Sequence, residues 1–319
     1  MNTESNLFEQ HSKKDYTIYF GMVICAVFWS GAFIAGKFCI PYIPVFSLTF
    51  LRFFFASLIL YFVVRHRNNK ALTDSFKLSK QHLPIFLFTG SIGMFGYHVL
   101  FFTSLKYTTA INSSIIGAMN PIVTVLIAAI ALSQKIPLKH LFGILISFSG
   151  VVLTISGGHM EVLKNFDFNN GDILMLLAVI CWAAYSVFSK VKGSLIPPLQ
   201  LTYYSFIVCD IMLFPFVLYE RPWIFLPEIP FSAWLGVLYM AIFPSVIGYL
   251  FQQIAIKQIG PSRSSIFVNL VPAFSIILAV LILHEPLQPV KLLTALIIIL
   301  GVCICQSTAA SRPVLEVDL

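Results

Sequence analysis

Long apolar runs, separated by short polar clusters, set the pattern of this 319-residue chain. A helix that crosses the hydrocarbon core of a bilayer takes about 20 apolar residues. Runs of that kind predict helices at about 17–37, 44–64, 83–105, 110–132, 141–158, 172–190, 199–219, 231–256, 262–283 and 291–307. Most are free of charge, and only Arg52 and Asp210 interrupt two of them. The pattern therefore predicts an all-α polytopic membrane protein with ten transmembrane helices. Polar tails at 1–16 and 308–319 are left over, with no room for a separate soluble domain.

Composition narrows the classes further. Apolar residues make up 58% of the chain, charged residues 10%, and the mean hydropathy is +0.90. A soluble domain of this size has too little interior to hide that much apolar surface. A soluble enzyme, a disordered regulator and a secreted disulfide scaffold are excluded on this ground. Of the six cysteines, all but Cys39 lie well inside apolar runs, where thiols pack as small hydrophobes. No zinc-type spacing occurs, so neither a metal nor a cofactor is expected. The first 16 residues lack an apolar h-region, and no cleavable signal peptide is expected.

The net charge of +7 is read as a topology signal and not as a nucleic-acid signal. Lys and Arg collect in cytoplasmic connections. With the N-terminus in the cytoplasm, 14 of the 20 basic residues fall inside, five fall outside and Arg52 is embedded. Both termini are therefore expected in the cytoplasm, with the lipid bilayer as the surrounding partner.

The chain also matches itself. Residues 105–155 align with 256–306 at an offset of 151 without gaps, and 12 of 51 positions are identical. Ser113, Ser114, Ile115 and Pro121 recur as Ser264, Ser265, Ile266 and Pro272. Gly96 and Tyr97 meet Gly248 and Tyr249, and Trp29 meets Trp182. Two halves, 17–158 and 172–307, are expected, each with five spans. An odd number forces the second half to cross in the opposite sense, so the halves are expected to be inverted repeats. That architecture is typical of secondary transporters, whose substrate site lies near the midplane at the repeat interface.

With these features the chain resembles the drug/metabolite transporter superfamily, in its ten-helix EamA-like branch. The resemblance is carried by the PheTrpSerGlyAlaPhe run before Lys37, by LeuArgPhe at 51–53, by the helices centred on Pro121 and Pro272, and by LeuHisGluPro at 283–286. It implies a central cavity between the halves and movement of small metabolites. Two positions depart from the family pattern. Gln134 stands where Glu is frequent, and His284 where Gly is usual.

Polar groups inside a bilayer are costly and tend to face protein or a cavity. Tyr97 and Phe101 share a helix face, with His98 beside them. His98 is the histidine set deep in a span, and a structural hydrogen bond explains it as well as a substrate contact or a proton carrier does. Trp29, Trp182 and Tyr185 form an aromatic set that either fills interhelical space or lines a site for aromatic, cationic or amphipathic solutes. Asn120 and Asn269 lie beside Pro121 and Pro272, each of which frees a carbonyl one turn earlier. Tyr249 and Gln252 share a face and read as an inner gate or part of the site. Arg52 is read as a structural charge, Asp210 and His98 as coupling candidates, and Glu285 as a solvated helix end.

The expected function is secondary transport of small polar or amphipathic metabolites, with amino acids and related compounds the leading class. The expected place is a bacterial inner membrane. A lipid flippase or scramblase is the alternative, followed by an intramembrane enzyme. No Walker A sequence, no zinc protease motif and no paired membrane aspartates occur. Oligomeric state has no signature in the sequence, and a proton or other ion is the coupling partner to consider.

The charge distribution generates a direct prediction. Cysteines introduced into the 159–170 loop should react with an impermeant reagent added outside intact cells, and those in the 66–79 loop should not. The opposite labelling pattern would reverse the orientation.

Overall fold

The computed structural model describes residues 2–66, 79–131, 138–159, 161, 168–193, 196–259 and 266–307. These are overwhelmingly helical, and no strand occurs among the described residues. The helices are α1 (Asn2–Cys39), α2 (Val45–His66), α3 (Lys80–Tyr107), α4 (Ala110–Ala131), α5 (Leu138–Ser156), α6 (Asn170–Gly193), α7 (Pro198–Tyr219), α8 (Phe231–Ala255), α9 (Phe267–Ile282) and α10 (Pro289–Ser307). Seven are long and apolar enough to cross a membrane, while the apolar parts of α5, α9 and α10 are shorter. The bundle exposes large apolar side chains such as Phe20, Ile130 and Leu296, as expected where lipid is the solvent. The chain is an integral membrane protein of polytopic type.

The polar segment before residue 17 is helical and continuous with α1, where the sequence suggested only a tail. It holds Glu, Gln and Lys with no Gly or Pro, a composition that favours helix. Gln134, Ser264 and Ser265 lie outside the described residues, as do most of the 66–79 and 159–170 loops.

Several helices depart from α-geometry in matched places. In α3 the segment Thr89–Gly96 is a π-helix, and in α8 the segment Ala241–Tyr249 is another. In α4 the helix is broken after Gly117 and resumes at Asn120, one residue before Pro121. A 3-10 turn, Ile266–Asn269, opens α9 just before Pro272. Proline has no N–H and cannot engage the carbonyl four residues back. Those carbonyls belong to Gly117 and Val268.

Packing is reciprocal. α1 lies against α8 and α9, and α6 lies against α3 and α4. α2 pairs with α7, and α5 with α10. The α5–α10 contact is close enough that a Cβ on Gly301 would lie 2.6 Å from the Gly143 carbonyl oxygen. There Ser147 donates to the carbonyl of Ile298 at 2.8 Å. Small residues of this kind let membrane helices approach each other.

One end of the bundle is laced by charged groups. Lys37 at the end of α1 donates to the carbonyls of Leu105 and Thr108 at 2.6 Å each. The Glu220 carboxylate, after α7, accepts from the N–H groups of Phe46 and Ser47 and from the Ser47 hydroxyl. Glu285, after α9, accepts from Ala110 and Ile111 N–H at 2.8 and 3.1 Å. Asp172 in α6 accepts from Thr108 at 2.6 Å and from Asn112 at 3.4 Å. Glu285 is thus engaged at the start of α4, not merely solvated as the sequence suggested. A helix start offers unpaired N–H groups and a positive dipole end to an anion. Next to it, His284 takes a left-handed φ of 54°, a conformation that favours the Gly usual at this place.

Removal of the Glu220 carboxylate leaves the start of α2 uncapped. Glu220→Ala should lower unfolding stability by about 1–3 kcal/mol, the range for hydrogen bonds to a charged group. Thermal unfolding of the purified protein in detergent would measure it, and an unchanged midpoint would show that the cap contributes nothing.

Candidate functional site

A cavity of about 60 Å³ lies inside the bundle. Its wall takes Trp29, Ala32 and Phe33 from α1, Arg52 from α2, and Tyr97, His98 and Phe101 from α3. Ser114, Gly117 and Asn120 come from α4, Trp182 from α6, Tyr249 from α8, and Val268 and Val271 from α9. The volume suffices for a few waters. Both carbonyl positions freed by Pro121 and Pro272 are therefore on the wall.

Aromatic rings make most of the surface. Tyr97 stacks on Phe101 with centroids 5.9 Å apart and planes 6° apart. Trp182 lies 5.0 Å from Tyr97 and 5.5 Å from Tyr249. Trp29 donates its indole N–H to the Pro244 carbonyl at 3.3 Å. Tyr185 stands behind Trp182, where its hydroxyl accepts from Gln253 Nε2 at 2.8 Å. The Tyr185 ring packs over Gly93, and a side chain at Gly93 would run into it.

The polar side of the wall is built on the two π segments. His98 Nδ1 is 2.8 Å from the Met94 carbonyl, which can only accept, so Nδ1 carries the proton. In the neutral ring Nε2 is then an acceptor, and the Tyr249 hydroxyl 3.0 Å away donates to it. In α8, Pro244 cannot donate to the Met240 carbonyl, which the π turn pairs with the N–H five residues on, that of Ser245. The Ser245 hydroxyl donates to that carbonyl at 2.7 Å and accepts from Arg52 Nε at 2.8 Å. The Arg52 guanidinium also lies 5.4 Å from the Phe53 ring centroid and 5.9 Å from that of Phe102.

Six of the nine candidate contact residues line this cavity: Trp29, Tyr97, His98, Phe101, Asn120 and Trp182. Tyr185 backs the wall. Gln252 and Asn269 are buried but off the wall, and their side chains hold buried polar atoms without hydrogen-bond partners. Tyr249 lies on the wall, in contact with His98. Arg52, read from the sequence as structural, also lies on the wall. Ser114, Ser245 and the valines of α9 carried no recognisable signal beyond their place in the repeat. Asp210 lies elsewhere. It borders an outward cavity of about 330 Å³ between α2 and α7, among Phe50, Phe54, Tyr61 and Phe214. Ser57 donates to its Oδ2 at 3.3 Å.

Comparison with known proteins places the whole assembly. The family model described as "EamA-like transporter family" matches residues 17–156 and 169–305. The chain belongs to the EamA-like transporter family. The uncharacterized transporter YyaM of Bacillus subtilis (strain 168) is 31% identical over 293 residues, covering 91% of this chain and 93% of that protein. An uncharacterized transporter of Archaeoglobus fulgidus is 30% identical over 267 residues, covering 83% and 88%. A protein of known crystal structure shares the fold with a TM-score of 0.64 at 19% identity, over 93% of this chain and 98% of that one. The family is one of membrane transporters.

Within the EamA-like frame, the wall follows the internal repeat in part. Trp29 and Trp182, Tyr97 and Tyr249, and Gly117 and Val268 are repeat-equivalent pairs, and both members of each line the cavity. The polar residues break the pattern. Around Arg52 the offset is 153, with Leu48 and Thr49 meeting Leu201 and Thr202, so Arg52 meets Ser205. His98 meets Leu250 and Asn120 meets Val271.

The hydrogen bond between His98 and Tyr249 joins α3 to α8 across the site. A double-mutant cycle with His98→Leu and Tyr249→Phe should give a coupling energy of about 0.5–1.5 kcal/mol in unfolding stability. Additive effects would show that the bond is not formed in the membrane-embedded protein.

Proposed function

We propose that this protein is a secondary transporter that moves small polar or amphipathic metabolites by alternating access. Amino acids and related compounds are the leading class. The substrate site is the central cavity between two inverted five-helix repeats of a ten-span bundle. The reading places both termini in the cytoplasm and the protein in a bacterial inner membrane. A single observation carries it: one cavity takes its wall from both halves of the chain, in repeat-equivalent aromatic pairs. The reciprocal packing of α1 on α9 and of α6 on α4 supports the inverted arrangement. Inverted repeats that exchange their packing can expose one midplane site to either side in turn.

Proton coupling is part of the proposal, with His98 and Asp210 as the carriers to test. His98 has both ring nitrogens engaged and sits on the cavity wall. Asp210 faces the outward cavity, away from Arg52. The lipid-flippase reading draws on that outward cavity, whose lining is largely aromatic and aliphatic around Ser57 and Asp210. Scrambling of a fluorescent phospholipid by the reconstituted protein would favour it.

Uptake of a labelled panel of amino acids and related metabolites into proteoliposomes tests the central reading. Trp182→Ala removes one of the paired rings and should slow uptake about tenfold or more, with the protein still folded in detergent. Wild-type uptake in both Trp182→Ala and His98→Ala would move the site elsewhere. An imposed pH step should drive accumulation against a gradient in the wild type if protons are coupled. Accumulation retained in His98→Gln would leave Asp210 as the carrier.

A further inference from the structure

We infer that Arg52 is an anion receptor: the central cavity selects solutes carrying a carboxylate and rejects cations. The inference rests on the reading of that cavity as the transport site and specifies its substrate class.

Arg52 is only 2% exposed, and it is always protonated. A buried charge is costly unless it is paired and hydrogen-bonded. Its one hydrogen bond among the described residues runs from Nε to the Ser245 hydroxyl, a neutral partner. That bond fixes the plane of the guanidinium and leaves the terminal nitrogens, the fork that binds carboxylates in bidentate fashion.

Among the described residues no acid pairs with it. Asp172, Glu220 and Glu285 are committed to helix starts and hydroxyls at the laced end of the bundle. Asp210 is turned to the outward cavity with Ser57, and Glu161 and Glu228 are exposed. The other polar groups on the cavity wall are phenols, an imidazole, a hydroxyl and an amide. The cavity is thus a positive site without its counter-charge.

A second group points the same way. Asn120 is 8% exposed and lines the same cavity, and its Oδ1 has no hydrogen-bond partner. Its amide can donate to a ligand oxygen or accept from a ligand N–H. Arg52 and Asn120 stand where the other half has Ser205 and Val271. The tryptophan and tyrosine pairs follow the repeat and the recognition groups depart from it, so the bound solute has a polar end and an apolar body. A quaternary ammonium or amine would find rings to stack on, but it would meet the Arg52 charge inside a low-dielectric site.

Three probes of one shape separate the cases: benzoate, benzamide and benzylamine. Binding to the full chain in lipid nanodiscs is read by thermal unfolding and by fluorescence of the cavity tryptophans. Benzoate should raise the unfolding midpoint and change the fluorescence, while benzamide and benzylamine should do so much more weakly. Arg52→Gln should weaken benzoate about ten- to hundredfold, the range for a hydrogen bond to a charged group. Arg52→Lys, which keeps the charge, should fall between. Without any probe, Arg52→Met should hold or raise the midpoint, because it removes an unpaired buried charge. A structural arginine would instead lower it.

Benzamide or benzylamine binding as tightly as benzoate overturns the inference, as does benzoate affinity unchanged in Arg52→Gln. So does a wild type that none of the three affects. A clear fall in the midpoint of unliganded Arg52→Met overturns it as well. These outcomes leave the cavity standing as the transport site, which fails separately, through wild-type uptake in Trp182→Ala and His98→Ala.

Discussion

A chain in lipid must satisfy its backbone polar groups from within, because the hydrocarbon core offers no water to do so. Most of this protein meets the constraint with unbroken helices. The exceptions are localised: Pro215 frees the carbonyl of Ile211, an exposed residue, and the others among the described residues lie inward. Pro121 and Pro272 strip the helical donor from the carbonyls of Gly117 and Val268, and both residues lie on the cavity wall. Pro244 cannot donate to Met240; there the π turn brings in Ser245, whose hydroxyl also bonds that carbonyl. That hydroxyl supplies the acceptor that positions Arg52. The polar character of the cavity thus begins as a backbone problem, solved by side chains that then become available to a solute.

The repeat supplies a scaffold, and departures from it supply chemistry. Two tryptophans and two tyrosines approach the centre from opposite halves. At the ends of the matched π segments, Tyr97 just after Gly96 and Tyr249 just after Gly248 reach the same space. A purely symmetric cage would be apolar and neutral at its centre. Arg52, His98 and Asn120 all come from the first half, so the polar groups are gathered unevenly around the cavity. A chiral, asymmetric solute is better matched by such a wall than by a symmetric one.

Much of this was legible in the sequence because it rests on local signals. Apolar runs mark helices whatever their tertiary partners, and the SerSerIle and proline matches expose the duplication. Six of the candidate residues fall on one wall because a polar or large aromatic group in a span has few places to go. What was not legible depends on geometry that periodicity does not encode. The π segments leave the apolar pattern intact, so nothing in it announces that Tyr249 bonds His98, 151 residues away. Arg52 looked like a snorkelling or structural cation, since nothing local says that its nearest acceptor is Ser245, 193 residues away. Glu285 looked solvated because its partners, Ala110 and Ile111, belong to the other half.

The same cross-half contacts bear on how a closed cavity could open. Glu220, Glu285 and Asp172 lace one end of the bundle, each tying a second-half acid to a first-half segment. Hydrogen bonds to charged groups contribute about 1.5–3 kcal/mol each, and the seven that these acids accept all oppose separation of that end before water compensates them. Rehydration of carboxylates and helix starts at a membrane surface returns much of that. A latch made of a hydrophobic core would not have this property, because exposing it to water returns nothing. The acids that join the halves therefore lie at the end of the bundle, where water can reach them, and Arg52 lies apart from them on the cavity wall.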